Sequence, residues 1–412
     1  MKKISIFVLM KTLNKAAMVL LLLPLLAACD KRDSMPDVSP DKYDNVVILY
    51  TAGYNNLSSD IRRNIQTVAG SPLPMKSSSK ALILITHNAV KDTDFTTPVE
   101  PVIVRITSDW SGTAVLDTLK ILSAQDNILD KNVMKSALTF VADNFKSEHY
   151  GIVFSSHGTG WLPEDYYRKP LTASRGMPKL KSFGACYEGS SSSLKASHEL
   201  IVQDMAQTIP IHLDYIIFDA CLMGGVEVAY ELRKVTDKIG FSQAEVLSSG
   251  FDYTRLSECL LATSSPERFC QAYFEMYDKQ SGSSRSATIS FIDCSKLDAL
   301  ASLCNRMFER YRTQIAHISP DKVQGFFTAD KHWFYDLEDI FVQSGADQSD
   351  ISAISSAIND CVIYKASTEK ILGKFDVRTN CGLSSYLPAN GNAKLNSFYR
   401  TLAWNQATGL VE

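Results

Sequence analysis

The sequence lacks the short motifs that mark most nucleotide-binding and metal-dependent proteins. No GxGxxG or phosphate-binding glycine loop follows the first predicted strand, and the zinc motif HExxH is absent. The GxSxG turn that serine hydrolases need is absent too. The nine cysteines are scattered without CxxC pairs, so neither a zinc site nor a disulfide framework is indicated. With a formal charge of -3 and no basic run, nucleic acid is not an expected partner.

The first 28 residues differ in character from the rest of the chain. They contain four lysines and no acid, and they include an apolar run from Ala16 to Ala28 that suits a signal-peptide core. The run ends in Leu26-Ala27-Ala28-Cys29, which resembles a bacterial lipobox. We therefore expect cleavage before Cys29 and acylation of that cysteine, for example with palmitate. The alternative is ordinary secretion with an incidental cysteine.

The predicted division of the chain follows from this leader. Residues 1–28 are a lipoprotein signal peptide, 29–43 a polar, proline-containing tether, 44–390 the folded domain and 391–412 its C-terminal tail. Loss of the leader removes four lysines and no acid, which takes the formal charge from -3 to about -7 and argues against an electrostatic anchor. We expect a protein of the cell envelope, outside the cytoplasm, tied to a bacterial membrane by lipid.

From Asp44 onward, short apolar runs alternate with amphipathic stretches. The runs are rich in β-branched residues and are continuous, which is typical of strands buried on both faces. The stretches between them, such as Asn132–Phe145 and Val226–Val235, have helical periodicity. This alternation predicts an α/β fold with helices on both sides of a mostly parallel sheet. The first five predicted strands are Val46–Tyr50, Ala81–Thr86, Val102–Thr107, Gly151–Ser155 and Tyr215–Phe218.

The second half of the chain has the same pattern. Ser286–Ile292 and Cys381–Leu387 are further predicted strands, and Leu297–Tyr311 has the apolar spacing of a helix. The longest predicted loop runs from Trp161 to Ser193 and is rich in Pro, Gly, Ser and basic residues. A loop of that length inside a compact domain is usually functional or disordered.

A histidine follows the fourth predicted strand, in Gly151-Ile-Val-Phe-Ser-Ser-His157-Gly158-Thr-Gly160. A lone histidine is more often structural. In an open α/β sheet, however, ligands bind at the carboxyl ends of the strands, so this position favours a functional His157. Gly158 would let the backbone approach a substrate closely and present its N–H.

A cysteine follows the fifth predicted strand, in Phe218-Asp219-Ala220-Cys221. We expect it near a helix N-terminus, whose partial positive charge favours the thiolate. If the two strands are neighbours, imidazole and thiol meet at one edge of the sheet, which is what nucleophilic catalysis on a carbonyl requires. The remaining mature cysteines, apart from Cys29, are interpreted as core residues.

These two motifs resemble those of the clostripain family of caspase-like cysteine peptidases. His157-Gly158 and Asp219-Ala220-Cys221 carry the resemblance, in that order and each after a hydrophobic strand. The similarity continues through Phe241–Tyr253, Tyr335-Asp-Leu and Gly382–Pro388, and so covers most of the predicted mature chain. It implies a caspase-like three-layer αβα sandwich.

The resemblance also implies a reaction, which is hydrolysis of peptides after Arg or Lys. Cys221 would attack the scissile carbonyl and His157 would protonate the leaving amine. The backbone N–H groups of Gly158 and Cys221 would hold the oxyanion. Asp219 and Asp252 match acidic residues that bind the basic P1 side chain. Asp219 could equally be a helix N-cap.

The long loop between the motifs fits a self-processing peptidase, since relatives often cut themselves there. Arg168 and Lys169 are the first candidate cleavage sites, and the alternative is a solvated basic loop. Cys186 stands where relatives tend to carry an acidic residue, which weakens any transfer of maturation details. Some relatives need calcium, but no calcium-loop motif is present, so no cofactor or metal site is predicted.

The main rival hypothesis is a surface-anchored lipoprotein that uses a degenerate peptidase fold for binding, without catalysis. Retention of both His157 and Cys221 in their contexts favours the enzyme. The expected partners are therefore peptides or proteins with a basic P1 residue and, through the lipid, a membrane. A monomer is expected.

Overall fold

The fold is built on the apolar runs that begin at Asn45. The computed structural model describes residues 41–164, 186–190, 195–262, 265–327 and 332–412. The predicted leader, Cys29 and most of the tether lie outside the described residues, as do Arg168 and Lys169.

Nine of the described strands form one central sheet, and the others pair in small sheets of two or three strands. Six of the seven predicted strands belong to the central sheet, namely β1, β2, β4, β6, β9 and β11. In chain order the strands are β1 (Asn45–Gly53), β2 (Lys80–Asn88), β3 (Asp94–Phe95), β4 (Val102–Ser108), β5 (Ala114–Ile121), β6 (Tyr150–Ser155), β7 (Cys186–Ser190), β8 (Lys195–His198), β9 (Leu213–Asp219), β10 (Thr236–Phe241), β11 (Thr288–Asp293), β12 (Tyr335–Asp336), β13 (Val362–Ser367), β14 (Lys370–Ile371), β15 (Phe375–Asp376) and β16 (Ser384–Ser385).

Several helices begin at side chains that cap their first turn. The Asp130 carboxylate accepts from the N–H groups of Asn132 and Val133, and Asp347 caps its helix in the same manner. The helices are α1 (Ser58–Ala69), α2 (Lys131–Asn144), α3 (Val202–Thr208), α4 (Val226–Leu232), α5 (Glu267–Asp278), α6 (Leu297–Ala316), α7 (Leu337–Gln343), α8 (Gln348–Cys361), α9 (Ala393–Tyr399) and α10 (Ala403–Thr408).

The central sheet has the strand order β13-β11-β10-β9-β6-β1-β2-β4-β5. Its five middle strands, from β10 to β2, are parallel to their neighbours. The two strands at each margin pair in the antiparallel sense. The prediction of a mostly parallel sheet therefore holds for the middle of the sheet, which carries both candidate motifs.

The register shows which helices cover which face. Tyr50, Phe154 and Phe218 are paired across neighbouring strands and point toward α2 and α3. The opposite face carries Gly53 and Gly240, which lie against α1 and α5 respectively. Because side chains alternate along a strand, both faces of the sheet are covered, and the fold is the predicted three-layer αβα sandwich.

The predicted strand Cys381–Leu387 is wrong. Only Ser384–Ser385 is extended, and it pairs with β12 outside the central sheet. Gly382 has a φ of 98°, which interrupts an extended backbone. The segment is nevertheless buried, and its polar groups are hydrogen-bonded inside the domain. The Ser384 N–H, for example, donates to the Gly224 carbonyl at 2.8 Å. An apolar run alone does not distinguish such a segment from a strand.

The ends of the described chain pack on the domain. Tyr43, in the predicted tether, is buried and its ring lies 5.4 Å from that of Phe145. In the predicted tail, Trp404 of α10 is fully buried against Tyr230 of α4. None of the described helices is both long and apolar enough to cross a membrane.

Candidate active site

His157 and Cys221 leave the sheet at the same level. Strands β6 and β9 are parallel neighbours, and Ser155 is paired with Asp219 at their carboxyl ends. Each candidate residue comes two positions after its paired residue. The register therefore brings the two motifs to one place on what we call the carboxyl edge, the edge at which the parallel strands end.

A glycine allows the two motifs to touch. A Cβ atom on Gly158 would lie 2.3 Å from the carbonyl oxygen of Cys221 and 3.1 Å from its nitrogen. Those distances are too short for any side chain, and the obstructing atoms are backbone atoms that cannot move aside. The His-Gly turn and the Ala-Cys turn are thus in direct backbone contact because residue 158 is glycine.

His157 is almost completely buried, and its ring is held by a residue from a third strand end. Its Nε2 lies 2.7 Å from Oδ1 of Asn56, in the connection between β1 and α1. That connection is itself tied to the His157 turn, because the Ala52 carbonyl accepts from Asn55 Nδ2 at 2.9 Å and from Ser156 Oγ at 2.8 Å. The ring orientation is therefore fixed by neighbouring strands of the sheet.

Cys221 has no exposed surface. Its sulfur accepts a hydrogen bond from the Val246 N–H at 3.0 Å and faces the Val246 carbonyl at 3.5 Å. The next residue, Leu222, has a φ of 62°, a conformation that costs a side-chain-bearing residue about 1–2 kcal/mol. Its N–H donates to the Ala244 carbonyl at 3.0 Å, which holds the strained turn closed.

The helix that follows Cys221 begins later than the sequence indicated. Helix α4 starts at Val226, with Gly225 as its N-cap, and four residues separate it from Cys221. Cys221 therefore precedes the helix by a turn and is neither its N-cap nor part of its first turn. The positive φ of Leu222 and the tight contacts of Gly224 against Gln243 keep this turn out of the helix.

Asp219 is the last residue of β9 and is fully buried. Its Oδ2 accepts from Ser155 Oγ at 2.8 Å and from the Tyr253 hydroxyl at 2.7 Å. Gly250, with a φ of 72°, passes so close that a Cβ atom there would lie 2.6 Å from the same oxygen. Asp219 does not cap a helix, so that alternative is wrong. It is a fixed carboxylate directly behind the Ala-Cys turn.

Asp252 immediately precedes the tyrosine that binds Asp219. Its Oδ1 accepts from the Thr254 N–H at 3.2 Å and from the Thr254 hydroxyl, and so caps the short 3₁₀ turn Tyr253–Arg255. Its carboxylate is only partly buried. The two aspartates are thus linked through the chain at Tyr253, one at the base of the carboxyl edge and one closer to solvent.

An open cleft lies beside His157, between the sheet and helices α2 and α3. It is lined by the turn from Ser155 to Gly160 and by mostly apolar residues, which include Tyr50, Phe154, Leu200, Met205 and Met223. His157 lines this cleft and is itself almost completely buried, so hydrogen bonds to its ring are stronger than they would be in bulk water.

Glu227, on the first turn of α4, ties the cysteine segment to the C-terminal part of the chain. Its Oε1 accepts from Ser385 Oγ, the Tyr386 N–H and the Tyr399 hydroxyl at 3.0, 2.8 and 2.6 Å. Burial raises the pKa of this carboxyl, although these three bonds oppose the shift. The Ala-Cys turn is thus anchored from behind by a buried acid.

Asn56, Ser155 and Tyr253 were not predicted from the sequence. Each makes a hydrogen bond with a candidate site residue, His157 or Asp219, and none is an alternative catalytic group. Asn56 comes shortly after β1, the neighbour of β6. Polar residues that follow neighbouring parallel strands lie on the same edge of the sheet, and this rule could have identified Asn56. Ser155 pairs with Asp219, so its role required the register of β6 and β9.

No group of three or more His, Cys, Asp or Glu side chains among the described residues is arranged to hold a metal ion. Near His157 and Cys221, the oxygen atoms of Asn56, Ser155, Asp219 and Tyr253 are instead engaged in hydrogen bonds with protein groups.

An αβα sandwich with a histidine and a cysteine at the ends of neighbouring parallel strands defines a caspase-like cysteine peptidase. Residues 50–409 match the clostripain family (peptidase C11), and the chain belongs to that family. A comparison with curated proteins gives no match.

Two solved C11 proteases share the fold. An inactive zymogen from Parabacteroides distasonis is 24% identical with a TM-score of 0.72, over 90% of this chain and 99% of that one. A secreted C11 cysteine protease from Bacteroides thetaiotaomicron, iotapain, is 21% identical with a TM-score of 0.72, over 90% and 100%. A further structure, of a secreted C11 cysteine protease from Bacteroides thetaiotaomicron in complex with an irreversible peptide inhibitor, is 22% identical with a TM-score of 0.72, over 89% of this chain and 99% of that one.

Proposed function

We propose that this C11 cysteine peptidase is an endopeptidase that cleaves after Arg or Lys, with Cys221 as nucleophile and His157 as its partner. The observation that carries the proposal is the contact of Gly158 with the backbone of Cys221, beside the buried carboxylate of Asp219. That contact joins a thiol, an imidazole and a carboxylate at the carboxyl edge. Such an arrangement suits a peptide carbonyl with a basic P1 side chain.

The chemistry assigns one task to each group. His157 takes the proton of the Cys221 thiol as the sulfur bonds to the scissile carbonyl carbon, and it gives that proton to the leaving amine as the C–N bond breaks. Water then hydrolyses the thioester and restores the thiol. The N–H groups of Gly158 and Cys221 donate to the oxyanion. With Nε2 of His157 engaged by Asn56, Nδ1 is the nitrogen that exchanges the proton.

The P1 preference is assigned to Asp219 and Asp252. A carboxylate recognises a guanidinium or an ammonium ion by charge-assisted hydrogen bonds. Asp219 is held rigidly by Ser155 and Tyr253, so it supplies fixed negative charge close to the nucleophile. Asp252 is partly exposed and meets the incoming side chain first.

The buried state of Cys221 supports a second part of the proposal, which is activation by self-cleavage. The described chain leaves the sulfur no exposed surface, so a substrate carbonyl reaches it only after the surrounding segments move. The loop between the two motifs carries basic residues that match the proposed specificity, with Arg168 and Lys169 as the first candidates. These residues lie outside the described part of the chain.

The location is proposed from the leader. Cleavage before Cys29 and acylation of its thiol would tie the enzyme to a bacterial membrane outside the cytoplasm. The protein would act as a monomer on peptide or protein substrates, without a metal or an organic cofactor.

The test of specificity uses fluorogenic peptides that differ only at P1, with Arg, Lys, citrulline or Leu. Arg and Lys peptides should be cleaved, and Cys221→Ala or His157→Ala should abolish turnover. Cys270→Ala, at another buried cysteine, should leave it unchanged. Absence of Cys221-dependent turnover on any basic peptide would refute the enzyme and favour the binding lipoprotein.

The roles of the two aspartates are tested with Asn substitutions. Asp219→Asn should lower kcat/KM for the Arg peptide by about a hundredfold, since a buried charge pair is lost, while the citrulline peptide changes little. Asp252→Asn should have a smaller effect of the same kind. Asp94→Asn is its matched control, because Asp94 also accepts from the N–H and hydroxyl of a threonine two residues later. Equal losses for Arg and citrulline peptides would refute the assignment.

Self-cleavage and the anchor are tested by mapping the termini of the purified full-length protein by mass spectrometry. The expected species begins at an acylated Cys29 and carries a cut after Arg168 or Lys169 that is missing in Cys221→Ala. A paired Arg168→Gln and Lys169→Gln variant should remain uncut there. A cut that persists in Cys221→Ala would show that another protease makes it.

A further inference from the structure

The edge of the sheet opposite the candidate active site carries an exposed tryptophan, and the described chain enters the domain there. We call it the amino edge, because the parallel strands begin there. The chain reaches the domain at this edge, where the Tyr43 N–H donates to the Lys146 carbonyl and the Asp44 N–H to the Ser79 carbonyl, both at the start of β1. Strand β1 then runs nine residues to the carboxyl edge, so the two edges are about 26 Å apart.

The turn between β4 and β5 lies on the amino edge as well. Strand β4 runs antiparallel to β2, with Thr86 paired to Val102 and Leu82 to Ile106, so its last residue Ser108 is level with the start of β2. Two strand spacings, about 10 Å, separate β4 from β1. The turn at 109–113 and the first described residues before β1, Tyr43 and Asp44, are thus on the same edge.

Trp110 stands at the tip of that turn with 85% of its surface exposed. The other three tryptophans of the sequence, Trp161, Trp333 and Trp404, are at most 5% exposed. Met75 is 49% exposed. It lies next to the turn because its backbone forms a β-bridge with Ser108. A large indole, mostly exposed, and a half-exposed thioether therefore lie side by side on the amino edge.

The turn that carries Trp110 is rigid. Oδ1 of Asp109 accepts from the N–H groups of Ser111 and Thr113 at 2.8 and 2.9 Å and from the Ser111 hydroxyl at 2.6 Å. Gly112 completes the turn with a φ of 83°. These bonds fix the backbone that carries Trp110, so the position of this residue at the tip is a property of the folded turn.

We propose that the amino edge faces a lipid bilayer, with Trp110 in the headgroup layer and the active site directed away from the membrane. The inference rests on the proposed acyl anchor at Cys29. Tryptophan prefers the membrane–water interface, where its ring is in an apolar layer and its N–H remains hydrogen-bonded. An interfacial tryptophan adds a contact with the bilayer that the lipid on Cys29 alone would not make.

The occupant of this surface is a lipid layer for two reasons. The chain that carries Cys29 joins the domain at the same edge, within about 10 Å of the strand that bears Trp110. The lysine beside Met75 is also balanced locally, since Lys76 lies 3.8 Å from Asp117. Attachment at the amino edge then places the carboxyl edge about 26 Å outward, open to substrates in solution.

The test uses the acylated full-length protein in phosphatidylcholine–phosphatidylglycerol vesicles, with and without brominated acyl chains that quench nearby tryptophan. Flotation of the vesicles reports the anchor, and quenching reports Trp110. The brominated vesicles should reduce the emission by about a quarter, the share of one tryptophan in four at the interface. Trp110→Phe should abolish the quenching and leave peptidase activity unchanged, whereas Trp404→Phe should keep it.

The outcomes separate this inference from the proposed anchor. Protein that floats with the vesicles but shows no Trp110-dependent quenching overturns the inference and leaves the anchor intact. Protein that neither floats nor is quenched overturns both. Trp110-dependent quenching in a chain that carries no acyl group supports the membrane-facing edge and overturns the acyl anchor.

Discussion

His157 Nε2 and Asn56 Oδ1 lie 2.7 Å apart, although the two residues are 101 positions apart in the chain. The imidazole is thereby oriented by a loop from β1, the strand on the far side of β6 from Cys221. An imidazole that acts on a leaving amine must keep one tautomer and one orientation. If His157 acts as proposed, Asn56 would position its ring for the reaction.

Replacement of Asn56 by Ala should lower kcat by about ten- to a hundredfold with little change in KM, because the ring loses its orientation while the substrate contacts remain. Asn56→Asp should restore the hydrogen bond with a charged acceptor. The nearby carboxylate would raise the pKa of His157, so the limb of the pH–kcat profile that reports this ring should move to higher pH. An unchanged kcat and pH profile in both variants would contradict the positioning role.

Replacement of Gly250 by Ala should weaken binding of Arg and Lys peptides. The new Cβ would lie 2.6 Å from Oδ2 of Asp219 and would push that carboxylate out of place, so KM for the Arg peptide should rise about tenfold. Gly345→Ala is the matched control, since its φ of 74° is close to the 72° of Gly250 but nothing lies within 4 Å. Gly345→Ala should lose a similar amount of folding stability from its positive φ but should leave the KM unchanged. A KM that rises equally in both variants would contradict the prediction.

Glu227 should make the fold less stable as pH rises. Burial raises the pKa of its carboxyl above the unfolded value of 4.5, so its contribution to stability is fully present below pH 4.5 and is lost as pH rises through the folded pKa. Glu227→Gln keeps the Oε1 acceptor and should flatten this pH dependence of the urea midpoint. Glu227→Ala leaves three buried donors without that acceptor and should cost roughly 2–4 kcal/mol.

A control of opposite sign is available at Glu258. The hydrogen bond from Arg255 lowers the pKa of this exposed carboxyl, so its contribution is present above pH 4.5 and is lost on acidification. Glu258→Gln should therefore lower the urea midpoint near neutral pH, whereas Glu227→Gln should raise it. The same sign for both substitutions would contradict the burial argument.

Cys221 should react slowly with iodoacetamide in the uncleaved chain, because the sulfur is fully buried and held by the Val246 N–H. Cleavage between the two motifs should accelerate its alkylation by an order of magnitude or more, measured by peptide mapping. The paired Arg168→Gln and Lys169→Gln variant should stay slow. Fast alkylation of the uncleaved chain would show that no rearrangement is needed.

The sequence was sufficient to predict the middle of the sheet but not its margins. The runs that became β1, β2, β6 and β9 are continuous and apolar because both faces are buried, and that pattern is local. Strand β5, by contrast, is only partly buried and mixes polar with apolar residues, so the run Ala114–Ile121 gave no such signal. The antiparallel margins depend on which strands become neighbours, which no local pattern records.

The candidate catalytic residues could be predicted from the sequence, but the residues that hold them in place could not. The strand-end positions of His157 and Cys221 follow from two short motifs and a general property of α/β sheets. The partner of His157, Asn56, depends on β1 lying beside β6, and the late start of α4 depends on a strained Leu222. Both are tertiary effects, in which distant segments decide what a local sequence does.

The pairing of Ser155 with Asp219 also bears on how the cell is protected from its own protease. The paired residues are 64 positions apart, so the two reacting groups meet only after more than sixty intervening residues have been synthesised and the two strands have docked. A chain exported in an unfolded state would carry a histidine and a thiol that have never met. The active site would then form only when the exported chain folds, and any control by cleavage would come after that.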